Sequence, residues 1–472
     1  MPENKKNKFY ITTPVYYVNA KPHIGHAYTT VAGDVLARFH RERDKDVFLL
    51  AGADEHGLKI EKKAEESGKD PKEFVDKFSQ EFTSLWESLN IKYDNFIRTT
   101  DPNHEKAVQK VLQKLYGEGV IYKGEYEGLY CVGCEQFKNE GDLVNGRCPD
   151  HDTVCERVKE ESYLLKMADM QDKLIAKIES DKFLIQPEKY KREILSFLKK
   201  EKLKDISISR KNVKWGIPLP FDESHTTYVW FDAFLSYLTG LGWGGDKKNI
   251  PWQWPADVQF IGKDILRVHA TIWPIMLLHL GIELPKKMFV HGHLLSGGRK
   301  MSKTIGNVIS IDEMLEKFGT DGTRYLLMGA GTFGEDVDVT MERMTEKYNA
   351  DLANGLGNLV SRVLKLISLS DIQLSKINTN EKISNFLDKI EPDKALDYIW
   401  NIVRENNKFI EEMKPWELAK TNKKKFDEVM GKLLGDLFGI ANLLKFFMPE
   451  TSGKILKAIE IGKTEALFPR IR

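Results

Sequence analysis

A chain of 472 residues with 41% apolar content has enough material for roughly two to four domains, each with its own core. Its formal net charge of +1 excludes a global field for nucleic acid, so any RNA binding must use local basic surfaces. Residues 1–8 are charged and lack an apolar core, and no window approaches roughly 18 uninterrupted apolar residues, so we expect no secretory signal, no membrane span and a cytoplasmic protein.

Taken in chain order, the apolar, β-branched run 9–14 predicts a buried strand, and Pro22, with its fixed φ, suits the first position of the helix that follows. That helix would open with Pro22-His23-Ile24-Gly25-His26. Its first N–H groups are available to phosphate, Gly25 lets a ligand ring lie against the backbone, and His23 and His26 can donate to phosphate oxygens. The runs 47–53, 258–262 and 288–290 predict further buried strands with helix-period segments between them, which argues for a doubly wound parallel sheet of the α/β class. Each run ends at residues of chemical character: Thr12 and Thr13, Asp54, Lys263 and Asp264, then His291. Ligands of open α/β sheets sit beyond the carboxyl ends of the strands, so these residues suit one nucleotide site.

From 117 to 215 the alternation breaks, and the segment reads as an insertion. All four Cys lie here, too clustered for a disulfide framework in so long a chain. Cys131, Cys134 and Cys148 followed by His151 give two close pairs suited to tetrahedral zinc, and the short step from Cys148 favours His151 over Cys155 as the fourth ligand. Four protein ligands leave no open position, so this zinc would be structural. A basic helical stretch follows at 189–204. Further on, Gly297-Gly298 precede Lys300-Met301-Ser302-Lys303-Thr304, and glycine's freedom would make them the hinge of a loop that brings two Lys to a triphosphate. From about 341 the pattern is helical alone: Leu352, Leu356, Leu359, Val363 and Leu366 mark one face, and Ile402 and Phe409 mark others. Gly355-Leu356-Gly357 is no dinucleotide fingerprint, because position 360 is Val and no strand precedes it; these glycines read as packing or turn residues.

The His-Gly-His and Lys-Met-Ser-Lys strings, in this order and at this separation, resemble the paired signatures of class I aminoacyl-tRNA synthetases. The runs Thr12-Thr13-Pro14-Val15-Tyr16-Tyr17-Val18-Asn19, Gly52-Ala53-Asp54-Glu55-His56-Gly57, Tyr228-Val229-Trp230-Phe231-Asp232-Ala233, Phe260-Ile261-Gly262-Lys263-Asp264 and His291-Gly292-His293-Leu294 resemble the methionyl-tRNA synthetase family, and matching stretches continue beyond Trp416. Thr304 departs from the Ser that usually ends the second signature; both carry a hydroxyl. The resemblance implies a Rossmann-like catalytic domain in two halves, 1–117 and 216–287. It also implies an inserted zinc-bearing subdomain at 118–215 that leans over the active site and the tRNA acceptor end. A loop-bearing segment at 288–345 and an all-α anticodon-binding bundle at 346–472 complete it. The implied activity is that of a methionine–tRNA ligase: ATP and L-methionine give methionyl adenylate and pyrophosphate, then methionine passes to the 3' end of tRNA(Met), with Mg2+ assisting and Zn2+ structural.

By the same resemblance His23, Gly25, His26, Lys300 and Lys303 bind ATP, and Arg210 joins His23, His26, Lys300 and Lys303 in catalysis. Val15, Tyr17, Asp54, Trp230, Ala233, Tyr237, Ile265 and His269 line the methionine site, where a carboxylate such as Asp54 suits the amino group. Asn358, Arg362 and Trp416 read the anticodon. Without that context Trp230 and Tyr237 would read as core aromatics, and Trp416 as a helix-start aromatic. We expect a monomer. The rival readings are a leucine or isoleucine synthetase, disfavoured by the short insertion and the Trp230 context, a small-metabolite adenylyltransferase, and a non-catalytic zinc-dependent RNA-binding factor. One missing carbon is worth only ~1–3 kcal/mol of discrimination, so a close analogue such as homocysteine should leak in, and since no large hydrolytic insertion is visible any correction must use the synthetic site itself.

Overall fold

The computed structural model describes residues 7–131, 136–138, 141, 143–149, 153–301, 307–367, 380–463 and 465–472, the side chains of 136–138 and 380 excepted. The chain forms two compact units, one of Met1–Pro22, Asp44–Leu85 and Lys92–His291, the other of His23–Arg43, Trp86–Ile91 and Gly292–Arg472.

The first unit is built on a six-stranded parallel sheet in the order Asn95–Arg98, Asp46–Asp54, Lys8–Tyr17, Val258–Gly262, Lys287–His291, Leu184–Gln186. All four strands expected from the sequence are present. The two edge strands escaped the sequence reading because four and three residues are too few to show a period. Leu184–Gln186 also comes from inside the 118–215 segment, which thus contributes to the central sheet. Chain order reverses between Lys8–Tyr17 and Val258–Gly262, so a crevice opens at the carboxyl ends of these two strands. Within Lys8–Tyr17 the pairing with Asp46–Asp54 shifts register between Thr12 and Val15. Pro14 has no N–H for the ladder, and the resulting bulge re-aims the strand end that carries Val15 and Tyr17.

Two helices of this unit are apolar nearly all round. In Leu266–Leu280 all but Arg267 and His279 are buried, and in Val229–Thr239 every residue but Trp230 is buried. The 118–215 segment adds an antiparallel sheet in which Ile121–Cys131 pairs with Glu156–Leu165, flanked by Gln136–Lys138 and Ile206–Ser207.

The second unit is helical apart from a small sheet at 294–300 and 337–338. Helix Ile24–Arg41 begins two residues later than Pro22 at the first helical position would imply, because His23 takes the N-cap. Arg324, fully buried, ties this helix to three other segments. Its guanidinium donates to Asp34 Oδ2 at 2.6 Å, Phe447 O at 2.8 Å and Leu89 O at 3.0 Å. A fork of this kind satisfies a buried cation through several acceptors at once.

The C-terminal helices Asn358–Ile367, Pro392–Met413, Pro415–Thr421, Lys423–Leu444 and Pro449–Ile461 form the expected bundle. Leu352, Leu356, Leu359 and Val363 are buried, with Leu366 half-buried. Ile402 and Phe409 are also only half-buried; Ile399, Val403 and Ile410 fill the core instead, so the apolar face is rotated from the one expected. Gly355 and Gly357 lie in a π-helical stretch, Tyr348–Gly357, where an added Cβ would press on carbonyls of the preceding turn at 3.3 and 3.1 Å. No helix among the described residues is long and apolar enough to cross a membrane.

Candidate active site

In the first unit the strand ends and the helix Val229–Thr239 bring together one group of buried polar and aromatic side chains. Asp54 closes Asp46–Asp54, is buried, and lies in register with Tyr17. The Tyr237 hydroxyl is bonded to the backbone of Val15 and feels the Asp54 carboxylate; burial, first, and then Tyr16 and Asp54 hold its pKa far above the usual tyrosine value. The same hydroxyl lies 2.9 Å from His269 Nε2. His269 Nδ1 lies 2.9 Å from Ile265 O, which assigns the proton to Nδ1 and leaves Nε2 to accept from Tyr237. Burial lowers the His269 pKa to about 4, so this imidazole is neutral at physiological pH. Trp230 meets the His269 ring edge-on at 5.8 Å, and Phe234 does so at 4.9 Å. Ala233 is buried on the same helix as Trp230, and Lys59 lies 5.7 Å from the Tyr17 ring. A group with the Asp54 carboxylate at a strand end, a second carboxylate, Asp264, acting on His269, neutral polar groups and aromatic rings suits a ligand with an ammonium group and an uncharged side chain. Trp230 is the one half-exposed residue of its buried helix, which a purely structural aromatic would not need to be.

The residues just past Asp54 are as firmly held, and the sequence reading assigned them no role. Glu55, fully buried, pairs with Arg98 Nε at 2.6 Å, and its backbone N–H donates to Thr99 Oγ1 at 2.9 Å. Trp215 Nε1 donates to Glu55 O, and Gly57 N–H donates to Trp215 O at 3.0 Å. His56 bonds Asp232, which in turn bonds His104. Arg210, also in this unit, is buried with its guanidinium 4.3 Å from the Tyr228 ring and 5.3 Å from that of Tyr130, and it donates to Ser207 Oγ at 2.8 Å.

In the second unit the helix start is organised by its two imidazoles. His23 Nδ1 accepts from Gly25 N–H at 3.1 Å, and His26 Nδ1 accepts from His23 N–H at 3.2 Å. This reciprocal capping box assigns the proton of each neutral ring to Nε2, the edge that can donate to a phosphate. The rings stack at 3.7 Å. A Cβ at Gly25 would meet the His23 ring at 3.0 Å, so glycine keeps that ring in place. Gly297 and Gly298, expected as a hinge, are instead the two turn residues of a hairpin between Leu294–Ser296 and Arg299–Lys300. Both have positive φ, 63° and 72°, as a tight two-residue turn requires, and Gly298 N–H is tied to Asp338 Oδ1 at 2.9 Å. Lys300 is exposed on this hairpin, while Ser302, Lys303 and Thr304 lie outside the described residues.

Residues 9–158 and 142–364 match the family model described as tRNA synthetases class I (M). The chain is 43% identical to the methionine–tRNA ligase of Clostridium acetobutylicum, an alignment covering 99% of this chain and 79% of the relative. It is 40% identical to that of Rickettsia bellii, covering 98% and 95%. The solved structure of Mycobacterium tuberculosis methionyl-tRNA synthetase in complex with methionyl-adenylate matches with a TM-score of 0.89 at 35% identity, over 95% of this chain and 93% of that one. The chain belongs to the methionyl-tRNA synthetase family.

A member of this family is an aminoacyl-tRNA synthetase, and two further groups of residues bear on that. In the bundle, the Arg362 guanidinium lies 5.8 Å from the Trp416 ring and pairs with Glu411 at 2.7 Å. Trp416 is 40% exposed, so it is no core aromatic. Asn358, Arg362, Arg404, Asn407, Lys408 and Glu411 line a cavity of about 370 Å³ beside it. In the 118–215 segment Cys131, Cys148 and Cys155 are buried together, with Cys131 Sγ 3.6 Å from Thr153 Oγ1. Cys134 and His151 lie outside the described residues. Among the described residues no three His, Cys, Asp or Glu side chains are placed to hold a metal.

Proposed function

We propose that this chain is a methionine–tRNA ligase whose methionine site is the pocket of Val15, Tyr17, Asp54, Trp230, Ala233, Tyr237, Ile265 and His269. The observation that carries this reading is the convergence of Asp54, Val15, Tyr237 and His269 at the carboxyl end of the parallel sheet, with no cation among them. The Asp54 carboxylate takes the α-ammonium group, and the thioether lies against aromatic rings, which attract sulfur modestly. The methionine carboxylate attacks the α-phosphorus of ATP, forming the mixed anhydride and releasing pyrophosphate. The protein supplies no nucleophile; it positions the reactants and neutralises growing charge on the phosphates. His23 and His26 donate from Nε2 at a helix N-terminus, and Lys300, Lys303 and Arg210 add fixed positive charge. Mg2+ carried on the triphosphate would add to the neutralisation that these residues supply. In the second step a terminal ribose hydroxyl of tRNA(Met) attacks the acyl carbon and AMP leaves. ATP and tRNA as substrates suit a cytoplasmic enzyme.

Cys131, Cys134, Cys148 and His151 would hold a structural Zn2+: Cys131 and Cys148 lie in one buried cluster of thiols, the soft ligands such an ion selects, and Cys134 and His151 complete the two close pairs of the sequence. Cys155, buried beside Cys131 and Cys148, is the alternative fourth ligand. Metal analysis of purified His151→Ala is expected to show lost zinc and Cys155→Ala to retain it; the reverse pattern exchanges the two assignments.

Asn358, Arg362 and Trp416 read the anticodon, Trp416 by stacking on a splayed base. Truncating Trp416 to Ala is expected to raise the KM for tRNA in methionine charging by about 5- to 150-fold, the equivalent of ~1–3 kcal/mol for one base stack. Methionine-dependent ATP–pyrophosphate exchange, which needs no tRNA, should keep its rate. Equal losses in both assays would contradict the assignment.

A further inference from the structure

The mechanism leaves one buried ionic cluster of the first unit without a task. His56, His104 and Asp232 are 4%, 1% and 1% exposed. Each Asp232 oxygen has its own imidazole: Oδ2 lies 2.7 Å from His56 Nδ1 and Oδ1 lies 2.6 Å from His104 Nε2. His104 Nδ1 is bonded in turn to Thr239 Oγ1 at 2.7 Å, which fixes the ring between two partners. Three elements meet here. His56 lies two residues past Asp54; Asp232 and Thr239 stand on the helix that carries Trp230 and Ala233; His104 belongs to helix Pro102–Gly117.

A buried ion paired with two imidazoles, here in the first turn of a helix buried nearly all round, is a poor means of gaining stability, since well-packed apolar residues of the same volume often serve as well or better. What such a cluster does supply is one geometry, set by directional bonds to both carboxylate oxygens. We infer that His56, Asp232 and His104 are positioning residues for methionine binding: they fix the spacing between the Asp54 strand end and the Trp230 helix, and the charge on His56 sets how firmly they do so. The inference rests on the methionine pocket proposed above.

The groups facing His56 make it a titrating element. Asp232 approaches from the helix Val229–Thr239, Glu105 lies 3.7 Å from Nε2 on Pro102–Gly117, and Glu55 adds negative charge from the same segment. The Trp215 ring packs at 5.6 Å, and Arg98 compensates Glu55. Burial pulls the His56 pKa down, but the three carboxylates outweigh it and hold it above the usual histidine value. Asp232 is held below the usual carboxylate value: burial opposes this, and His56 and His104 outweigh it. The pair is therefore fully charged below the raised His56 pKa, and its mutual attraction is lost as the pH rises through that value.

The test is the pH profile of KM for methionine in ATP–pyrophosphate exchange, from about pH 6 to about pH 9, for the parent, His56→Asn and Asp232→Asn. Methionine's own amino group titrates in all three, so differences between them report the cluster. We expect the parent KM for methionine to rise on the alkaline side earlier than in His56→Asn, whose KM should be raised about tenfold already at neutral pH without that early rise. KM for ATP should change by less than about twofold, a split that general loosening of the fold would not give. Asp232→Asn, nearly isosteric, should show the same methionine-specific loss. Coincident profiles for parent and variants, or parallel rises in both KM values, overturn the inference. If neither variant folds, a parent profile that follows only the methionine amino group overturns it. Absence of any methionine-dependent exchange in the parent would instead overturn the functional reading.

Discussion

Asp54→Asn is expected to lower kcat/KM for methionine in ATP–pyrophosphate exchange by roughly 30- to 1,000-fold, which corresponds to about 2–4 kcal/mol. The substitution preserves shape, so the strand end and its register with Tyr17 should survive, and the melting temperature with them. What disappears is the only carboxylate assigned to the α-ammonium group. In its place an amide N–H2 group faces a cation in a site where Tyr237 and His269 are buried and neutral, and the other carboxylate at hand, Asp264, acts on His269. The loss should be carried by methionine, with KM for ATP nearly constant. An unchanged KM for methionine would move the amino-group anchor elsewhere and dissolve the pocket assignment.

His26→Ala is expected to lower kcat of the same exchange by about 100- to 1,000-fold, as removal of one preorganised donor to a charged transition state commonly does. KM for methionine should stay within about threefold, because the methionine pocket contains no residue of this helix start. A second effect follows from the capping box. His26 Nδ1 accepts the His23 N–H and its ring stacks on that of His23, so the variant also loses a cap bond and should melt a few degrees lower, for a loss of about 1 kcal/mol. Because the two imidazoles hold each other, the double variant His23→Ala/His26→Ala should lose far less than the product of the two single losses. A His26→Ala enzyme that melts lower but turns over at the parent rate would leave the ring a structural cap alone.

The central strands were legible because runs buried on both faces are apolar nearly throughout, as in 47–53 and, with Gln259 the exception, in 258–262. The edge strands Asn95–Arg98 and Leu184–Gln186 were not, because their identity comes from a neighbour and not from their own few residues. Local backbone detail was partly misread for a similar reason. Pro22 suggested the first helical position, yet the reciprocal bonds of His23 and His26 make His23 the cap and start the helix two residues further on, and the flexibility read into Gly297-Gly298 is spent on a hairpin turn closed by Asp338.

In the site, Asp54 stood out as an acid at the end of an apolar run. His56, His104 and Asp232 did not, because their bonds link positions 176 and 128 residues apart, a relation that no local pattern encodes. The only signal was that the strings Gly52-Ala53-Asp54-Glu55-His56-Gly57 and Trp230-Phe231-Asp232-Ala233 carry more ionisable residues than the methionine contacts use. Pairing those surplus charges with one another would have found the His56–Asp232 bond, though not His104, which lies in neither string.

Amino-acid-dependent exchange of labelled pyrophosphate into ATP, measured with each of the twenty amino acids in turn, tests the central claim most directly. Exchange with methionine and with none of the others at comparable concentration is the expected result. Exchange driven by leucine or isoleucine instead, or by no amino acid at all, would contradict the account.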